Sequence, residues 1–233
     1  MWKSTAGQDH RSVGRLLRPL LPEDGVALDV GAHGGQVTRL LADLAPRGRV
    51  VAVEPSAYAR SVLRASLLLR PRPNVVVVAA ALGASPGVAV LTTPLKRAGS
   101  LGYGLASLAA PGGGGGGPDG HRARAAVREA VPVVTLDGLA EAMALPRLDL
   151  VKADVEGHEL AVLEGARAAL ARLSPALYLE VARERLARAG ASPEALWRML
   201  VGEMGYAARA VPDPRPDLAD GDWLFVRPGG RSA

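Results

Sequence analysis

Carboxylate side chains lie at or near the ends of four predicted strands in this 233-residue chain, and each is a candidate for binding or proton transfer. They are Asp29, Glu54, Asp154 and Glu180. Because ligands of open α/β sheets bind beyond the carboxyl ends of the strands, we expect these side chains to meet at one edge of a sheet. Like charges repel, so the cluster favours a cationic ligand, a metal ion or proton transfer over a purely stabilising role.

A glycine-rich turn follows the first of these strands. Residues 29–35 read Asp-Val-Gly-Ala-His-Gly-Gly and lead into a predicted helix, and the next strand ends at Glu54. Glycines allow the backbone to approach a ligand closely, and an acid after the second strand can accept hydrogen bonds from ribose hydroxyls. The pattern therefore predicts a site for a cofactor that carries a nucleoside.

The glycine spacing distinguishes two cofactors. The dinucleotide fingerprint G-x-G-x-x-G requires a glycine two residues after Gly31, and His33 stands there. That second glycine brings the backbone close to a pyrophosphate. Asp29 precedes the turn and suits a cationic ligand, and S-adenosylmethionine carries an amino group and a sulfonium but no phosphate. The turn thus favours S-adenosylmethionine over NAD, with an ordinary strand–helix turn capped by Asp29 as the alternative.

A second acidic segment follows the predicted strand 148–153. It reads Asp154-Val-Glu156-Gly-His-Glu159, and it leads into a helix. Asp154 and Glu156 are candidates for catalysis, whereas the alternative is that Asp154 caps the helix and that the glutamates favour its dipole. We expect Glu159 to have only this second role.

Helical and strand patterns alternate along the chain and predict an α/β fold with a doubly wound, mostly parallel sheet of about seven strands that ends in an antiparallel pair. The predicted helices are 9–18, 35–45, 56–69, 136–144, 157–173 and 193–204. The predicted strands are 26–30, 49–53, 75–78, 88–91, 131–134, 148–153, 176–181, 206–211 and 223–226. The continuous apolar run at 75–78 is typical of a buried parallel strand. We expect residues 1–233 to form a single domain that begins with the N-terminal helix.

Residues 94–125 interrupt this alternation. The segment contains six consecutive glycines at 112–117, which lose much conformational entropy on ordering and predict a flexible insert. We interpret the flank 95–108 as a candidate lid over the substrate, since long loops in compact domains are often functional.

The composition limits the class of protein. There is no cysteine, which fits a reducing cytoplasm, and no apolar run reaches the roughly 20 residues that span a bilayer. The polar N-terminus lacks the apolar region of a signal peptide. The net charge is +5, but the basic residues are scattered and aromatic residues make up 3%, so there is no nucleic-acid signature. We expect a cytoplasmic globular protein without membrane contact, and the sequence does not indicate its oligomeric state.

These motifs resemble the FkbM-type S-adenosylmethionine-dependent methyltransferases over about residues 24–182. The matching segments are Leu28 to Gly35, Val53-Glu54-Pro55, Ala81-Leu82-Gly83, Val133 to Leu139, Asp149 to Glu159, Val162 to Ala166 and Leu179-Glu180-Val181. The resemblance implies the Rossmann-like class I methyltransferase fold. It also implies methylation, mainly of hydroxyl oxygens on natural products, sugars and related small molecules.

The chain departs from the family pattern at two places. The family usually has Asn-Ile-Gly where this chain has His33-Gly34-Gly35, although a histidine can still bind the carboxylate of the cofactor. The family often has a histidine shortly after the glutamate of the fifth strand, whereas Glu180 is followed by Val181 and Ala182. The second difference weakens any proposal that this strand supplies a catalytic base.

The resemblance also implies which residues hold the cofactor. It places Gly31, His33 and Gly35 around the methionine part, Glu54 on the ribose, and Ala81 and Leu82 beside the adenine. Further candidates for cofactor binding are Asp29, Ala32, Pro55 and Asp154.

Methylation of a hydroxyl needs a base that removes the proton near the transition state. Asp154 is the first candidate, His158 the second, and Glu156 belongs to the same cluster. A metal-free site is expected, and Mg²⁺ held by Asp154 with Glu156 or Glu180 is the alternative. Two other functions stay open: a non-catalytic cofactor- or partner-binding module on this fold, and an NAD-dependent oxidoreductase.

Overall fold

The computed structural model describes residues 10–94, 107–109, 126–211 and 216–229, and it has the α/β architecture expected from the sequence. The helices are His10–Leu17 (α1), Gln36–Leu44 (α2), Ala57–Leu69 (α3), Leu136–Ala142 (α4), Glu159–Glu164 (α5), Arg167–Leu173 (α6), Arg183–Arg188 (α7) and Pro193–Trp197 (α8). The strands are Val26–Val30 (β1), Arg49–Val53 (β2), Val75–Val78 (β3), Ala81–Leu82 (β4), Gly87–Pro94 (β5), Ser107–Ala109 (β6), Ala126–Val134 (β7), Leu150–Ala153 (β8), Ala176–Val181 (β9), Ala207–Val211 (β10) and Gly221–Val226 (β11). None of the described helices has the length and apolarity required to cross a membrane.

Seven strands form the main sheet in the order β10-β11-β9-β8-β1-β2-β3. Within this sheet, neighbouring strands among β9, β8, β1, β2 and β3 pair in parallel. Strand β11 is antiparallel to both of its neighbours, β9 and β10. Side chains of β1 alternate between two apolar cores: Leu28 and Val30 belong to one cluster and Ala27 to the other. The central strand is therefore buried on both faces, as a doubly wound parallel sheet requires. This confirms the fold class.

The strand at 75–78 is less buried than its apolar sequence predicted. It pairs with β2 in parallel, but it is the edge strand of the main sheet, and Val76 is 40% exposed. A continuous valine run therefore marks an edge strand here, because an edge position leaves one side of the strand without a neighbour.

Two predicted strands, at 88–91 and 131–134, do not belong to the main sheet. Both are longer than predicted, and as β5 and β7 they pair antiparallel over eight residues. With β4 and β6 they form a second, four-stranded sheet in the order β4-β7-β5-β6. The short strand β6 lies inside the predicted flexible insert. The rest of that insert, residues 95–106 and 110–125, lies outside the described residues.

The predicted helix at 157–173 is two helices, α5 and α6. The Asp137 carboxylate accepts hydrogen bonds from the backbone N–H groups of Ala168 and Ala169, at 3.1 and 2.7 Å, and so it satisfies the start of α6. This contact comes from a distant residue, and a periodic apolar pattern cannot show it. The predicted helix at 193–204 is α-helical to Trp197 and continues as a π-helical segment, Arg198–Glu203.

Candidate active site

A cleft lies at the carboxyl ends of β1, β2 and β8, and the second sheet forms its far wall. It encloses about 650 Å³ of empty space, which includes open solvent at its mouth. Its lining residues are Val30, Gly31, His33, Val53, Glu54, Pro55, Ser56, Ala59, Ala80, Ala81, Leu82, Leu91, Thr93, Asp154, Val155, Glu156 and His158.

Glu54 is held in a fixed orientation at the end of β2. Its Oε2 accepts a hydrogen bond from the backbone N–H of His33 at 2.9 Å, and its Oε1 accepts one from the backbone N–H of Ser56 at 2.8 Å. The side chain is 5% exposed. Because a carboxylate oxygen has more than one lone pair, both oxygens can still accept a ligand hydroxyl.

The turn after β1 approaches the loop after β8 closely at Gly31. A Cβ atom on Gly31 would lie 2.1 Å from the carbonyl oxygen of Asp154, and the φ angle of Gly31 is +73°. Both facts require glycine at this position. The contact joins the first acidic segment of the sequence to the second.

Asp29, for which the sequence suggested a cationic ligand, is not among the residues that line the cleft. It is fully buried, its Oδ2 accepts a hydrogen bond from the Thr38 hydroxyl at 2.6 Å, and its Oδ1 lies 3.3 Å from Lys152 Nζ. Its cationic partner is thus a lysine of the protein. Asp29 therefore supports the glycine turn through Lys152, which contacts both Asp29 and Gly31.

Lys152 is a site residue to which the sequence analysis assigned no role. Its Nζ donates a hydrogen bond to the carbonyl oxygen of Gly31 at 3.1 Å. Burial acts to lower the pKa of Lys152, but the charges of Asp29, Asp154 and Glu54 outweigh burial, and the pKa is raised. A lysine inside an apolar strand is rarely buried without an acidic partner, which is the sequence signal for this contact.

Four charged side chains form a network beside the cleft. Arg185 Nη1 lies 2.6 Å from Glu180 Oε2 and 3.1 Å from Glu156 Oε2. Asp154 belongs to the same network, because Glu180 and the charge of Arg185 both act to lower its pKa. Arg185 lies in α7, a helix that the sequence analysis did not predict, so nothing in the sequence pattern indicated its role.

The two carboxyls of the network that line the cleft, Glu156 and Asp154, have pKa values shifted in opposite directions. Burial raises the pKa of Glu156 to about 7, against the lowering effect of Arg185 and with a further raising effect of Asp154 and Glu159. Burial also acts to raise the pKa of Asp154, but the Lys152 charge, the hydrogen bond with Glu180 and the charges of His33 and Arg185 outweigh it, and this pKa is lowered. Near neutral pH, Glu156 is therefore the carboxyl that can readily exchange a proton.

Glu159 has more contacts than a helix-dipole role requires. It is 2% exposed, and its Oε1 accepts hydrogen bonds from the backbone N–H groups of Val155 and Gly157 at 3.0 and 3.3 Å. Those residues flank Glu156, whose φ angle of +56° is unusual for a residue with a side chain. Glu159 thus holds the loop that presents Glu156 to the cleft.

The structure brings most of the predicted site residues together. Lining the cleft are Gly31, His33, Glu54, Pro55, Ala81, Leu82, Asp154, Glu156 and His158. Three further predicted residues are not among the lining residues. Ala32 packs in an apolar cluster with Leu63, Gly35 precedes α2, and Glu180 pairs with Arg185.

The three carboxylates named for Mg²⁺ do not form a metal centre. Among the described residues, no group of three or more acidic or histidine side chains is arranged to hold a metal ion. The Arg185 guanidinium contacts both Glu156 and Glu180 with the same nitrogen, so a cation of the protein already pairs with both carboxyl groups. The alternative of a Mg²⁺ site therefore finds no support in the arrangement of the described residues.

Residues 29–207 match the sequence profile of the methyltransferase FkbM domain, and this region includes every residue that lines the cleft. The chain belongs to the FkbM methyltransferase family. The predicted resemblance is confirmed, and the glycine turn, Glu54 and the Asp154–Glu156 segment all lie inside the matched region. No curated protein sequence matches the chain.

Solved methyltransferase structures share the fold. Methyltransferase FkbM from Methylobacillus flagellatus KT aligns with a TM-score of 0.57 and 16% identity over 88% of this chain. This chain spans 44% of the length of that FkbM structure. A candidate O-methyltransferase from Klebsiella pneumoniae aligns with a TM-score of 0.55 and 14% identity, over 97% of this chain and 84% of that one. A candidate methyltransferase from Streptococcus mutans, solved with S-adenosylhomocysteine (SAH), aligns with a TM-score of 0.51 and 12% identity over 97% of each chain.

Proposed function

We propose that this FkbM-family protein is an S-adenosylmethionine-dependent O-methyltransferase that acts on a hydroxyl group of a small molecule, such as a natural product or a sugar. The observation that supports this most directly is the pairing of two carboxylates in one cleft. Glu54 offers both oxygens at one end, and Asp154 Oδ1 is buried without a hydrogen-bond partner within the described part of the chain.

The residues of the cleft fit this cofactor. A ribose diol can donate to Glu54, and an ammonium group can donate to the unpartnered Asp154 Oδ1, which gives this atom the contact that it lacks. His33 and Gly31 would border the methionine part, and Ala81 and Leu82 would offer apolar surface to the adenine. When bound, S-adenosylmethionine supplies an electrophilic methyl group on its sulfonium.

The turn suits NAD less well. The backbone N–H of His33, at the position of the second fingerprint glycine, already donates to Glu54. It is therefore not free to bind a pyrophosphate, as the dinucleotide fingerprint requires. This contact supports a cofactor without phosphate.

Glu156 is our candidate for the general base. It lines the cleft, and its pKa of about 7 lies near the operating pH at which a base is most effective. The acceptor hydroxyl would pass its proton to Glu156 as its oxygen takes the methyl group from the sulfonium of the bound cofactor, which would leave SAH. Asp154, with its lowered pKa, is a weaker base and is better suited to hold a cation, and His158 is the other candidate because it also lines the cleft.

Calorimetry and a transfer assay together test this function. We expect the protein to bind SAH and not NAD, and to transfer the labelled methyl group of S-adenosylmethionine to members of a panel of hexoses, glycosides and polyketide alcohols. Binding of NAD instead would contradict the cofactor. Tight binding of SAH without methyl transfer to any hydroxyl group in the panel would favour a non-catalytic binding module.

A further inference from the structure

Strand β5 of the second sheet has buried side chains at every second position, and two of these side chains line the cleft. Along β5, Ala89, Leu91 and Thr93 are buried, whereas Val88 is 57% exposed. Leu91 and Thr93 both line the cleft. A strand with this period of two has one inward face, and Thr93 is the polar residue on it.

Thr93 lacks a hydrogen bond although it is buried. Its side chain is 2% exposed, and within the described residues its Oγ1 has no hydrogen-bond partner. Buried hydroxyl groups nearly always have a partner, so an unpartnered one in a cleft wall indicates a contact supplied by a ligand.

Two contacts fix which end of the cleft this wall covers. First, Leu91 packs with Ala81 in one apolar cluster. Second, Glu129 pairs with Leu91 across β7 and β5, and its carboxylate accepts a hydrogen bond from the backbone N–H of Ala57 at 3.1 Å. Ala57 begins α3, three residues after Glu54. The inward face of β5 therefore lies over the Glu54 end of the cleft.

The Glu54 end is mostly apolar apart from Glu54 and Ser56, whose hydroxyl oxygen already accepts a hydrogen bond from the backbone N–H of Ala59. The lining there includes Pro55, Ala59, Ala80, Ala81 and Leu82. A flat base attached to a ribose at Glu54 needs such apolar walls for its faces and a polar group for its edge. The Asp154 end, with Glu156 and His158, is charged and suits the other half of the ligand.

We propose that the Thr93 hydroxyl hydrogen-bonds the adenosine half of the cofactor, so that β5 of the second sheet is part of the nucleoside site. This inference rests on the proposed function, because it takes the ligand to be S-adenosylmethionine. It assigns a binding role to a residue that the sequence analysis left outside the site.

Calorimetric titration with two probes, SAH and adenosine, tests the proposal. Thr93→Val keeps the shape and the strand preference of the residue but removes the hydroxyl. We expect it to weaken both probes by the same factor, roughly five- to tenfold for one lost hydrogen bond. Thr93→Ser should restore binding of both. Thr92→Val, on the opposite face of β5, is the matched control and should bind both probes normally. The melting temperature of Thr93→Val should not fall, since the hydroxyl has no partner to lose.

Three results would overturn the proposal. Unchanged binding of both probes would place Thr93 outside the cofactor site, for instance at the acceptor. A weaker affinity for SAH alone would place it at the amino-acid half. A fall in melting temperature with normal binding would show a structural role. If the unmodified protein bound neither probe, the proposed function would fail as well, which distinguishes that failure from the other three.

Discussion

The guanidinium of Arg185 lies 3.1 Å from the carboxylate of Glu156, and the same nitrogen lies 2.6 Å from Glu180. One cation thus pairs with a buried acid, Glu180, and a partly buried one, Glu156, and its charge opposes the desolvation that raises the pKa of Glu156 to about 7. Gly157 is part of this arrangement, because a Cβ atom there would lie 2.2 Å from the carbonyl oxygen of Arg185. The loop that presents Glu156 therefore packs directly on the backbone of α7.

If Glu156 is the base, the rate of methyl transfer should rise with pH through about 7, as Glu156 loses its proton. Because Arg185 lowers the pKa of Glu156, Arg185→Met should shift this limb to higher pH by about one unit. Arg185→Lys should return this limb most of the way to the pH at which it lies in the unmodified protein. Arg183→Met is the matched control, since Arg183 lies in the same helix but pairs with Glu194. An unshifted limb in Arg185→Met would assign the ionisation to another group, such as His158.

The same carboxyl should make the stability of the protein depend on pH. A pKa raised from 4.5 to about 7 means that the folded state holds the proton more tightly than the unfolded state. The contribution of Glu156 to stability is then present below pH 4.5 and is lost as the pH rises through 7. Glu156→Gln should therefore raise the melting temperature more at pH 8 than at pH 4.5. A larger gain at pH 4.5 would contradict the direction of this shift.

Lys152 should be necessary for the stability of the glycine turn. Lys152→Met leaves the fully buried Asp29 without its cation and the Gly31 carbonyl without its donor, and removal of one partner of a buried pair costs about 3–5 kcal/mol. Arg47→Met breaks the exposed pair with Glu23 and should cost less than about 1 kcal/mol.

Urea denaturation measures both losses of stability. Asp29→Asn added to Lys152→Met should recover part of the loss, because it removes the unpaired charge. A cost for Lys152→Met as small as that of the exposed control would show that the turn does not depend on this ion pair.

The sequence predicted the main sheet well because its strands are short apolar runs separated by clear helix signals. The strand 26–30 was predicted with its exact bounds, and the glycine turn with Glu54 identified the cleft. The second sheet was missed because β5 and β7 pair across a distance of about forty residues, and a local pattern does not show which strand is the partner.

The charged network was missed for a related reason. Arg185 lies in a six-residue helix with one buried apolar side chain, Leu186, so α7 has almost no apolar period. The ion pair of Asp29 with Lys152 was missed as well, because the two residues lie on neighbouring strands that are distant in the chain. A local sequence pattern shows neither contact.

Glu54 should determine affinity for the cofactor. Glu54→Ala should weaken the binding of SAH by about 1–3 kcal/mol, the range for a hydrogen bond to a charged group. Asp149→Ala is the control, because Asp149 also accepts a hydrogen bond from a backbone N–H, that of Val26, at the opposite end of β1. We expect it to lower stability while calorimetry shows normal affinity. Equal losses of affinity in the two variants would mean that Glu54 only supports the fold.

Asp154 and Glu156 should affect different kinetic constants. Asp154→Asn is nearly isosteric and removes the charge at the unpartnered oxygen, so it should weaken cofactor binding and raise the KM for S-adenosylmethionine. Glu156→Gln should leave that KM nearly unchanged and lower kcat by roughly two or more orders of magnitude, the contribution expected of a general base. Both constants are measured on the acceptor found in the transfer assay, with circular dichroism as the check on folding. A large loss of kcat in Asp154→Asn at normal cofactor affinity would instead make Asp154 the base. Normal kinetics in that variant would show that Asp154 serves only the loop before α5.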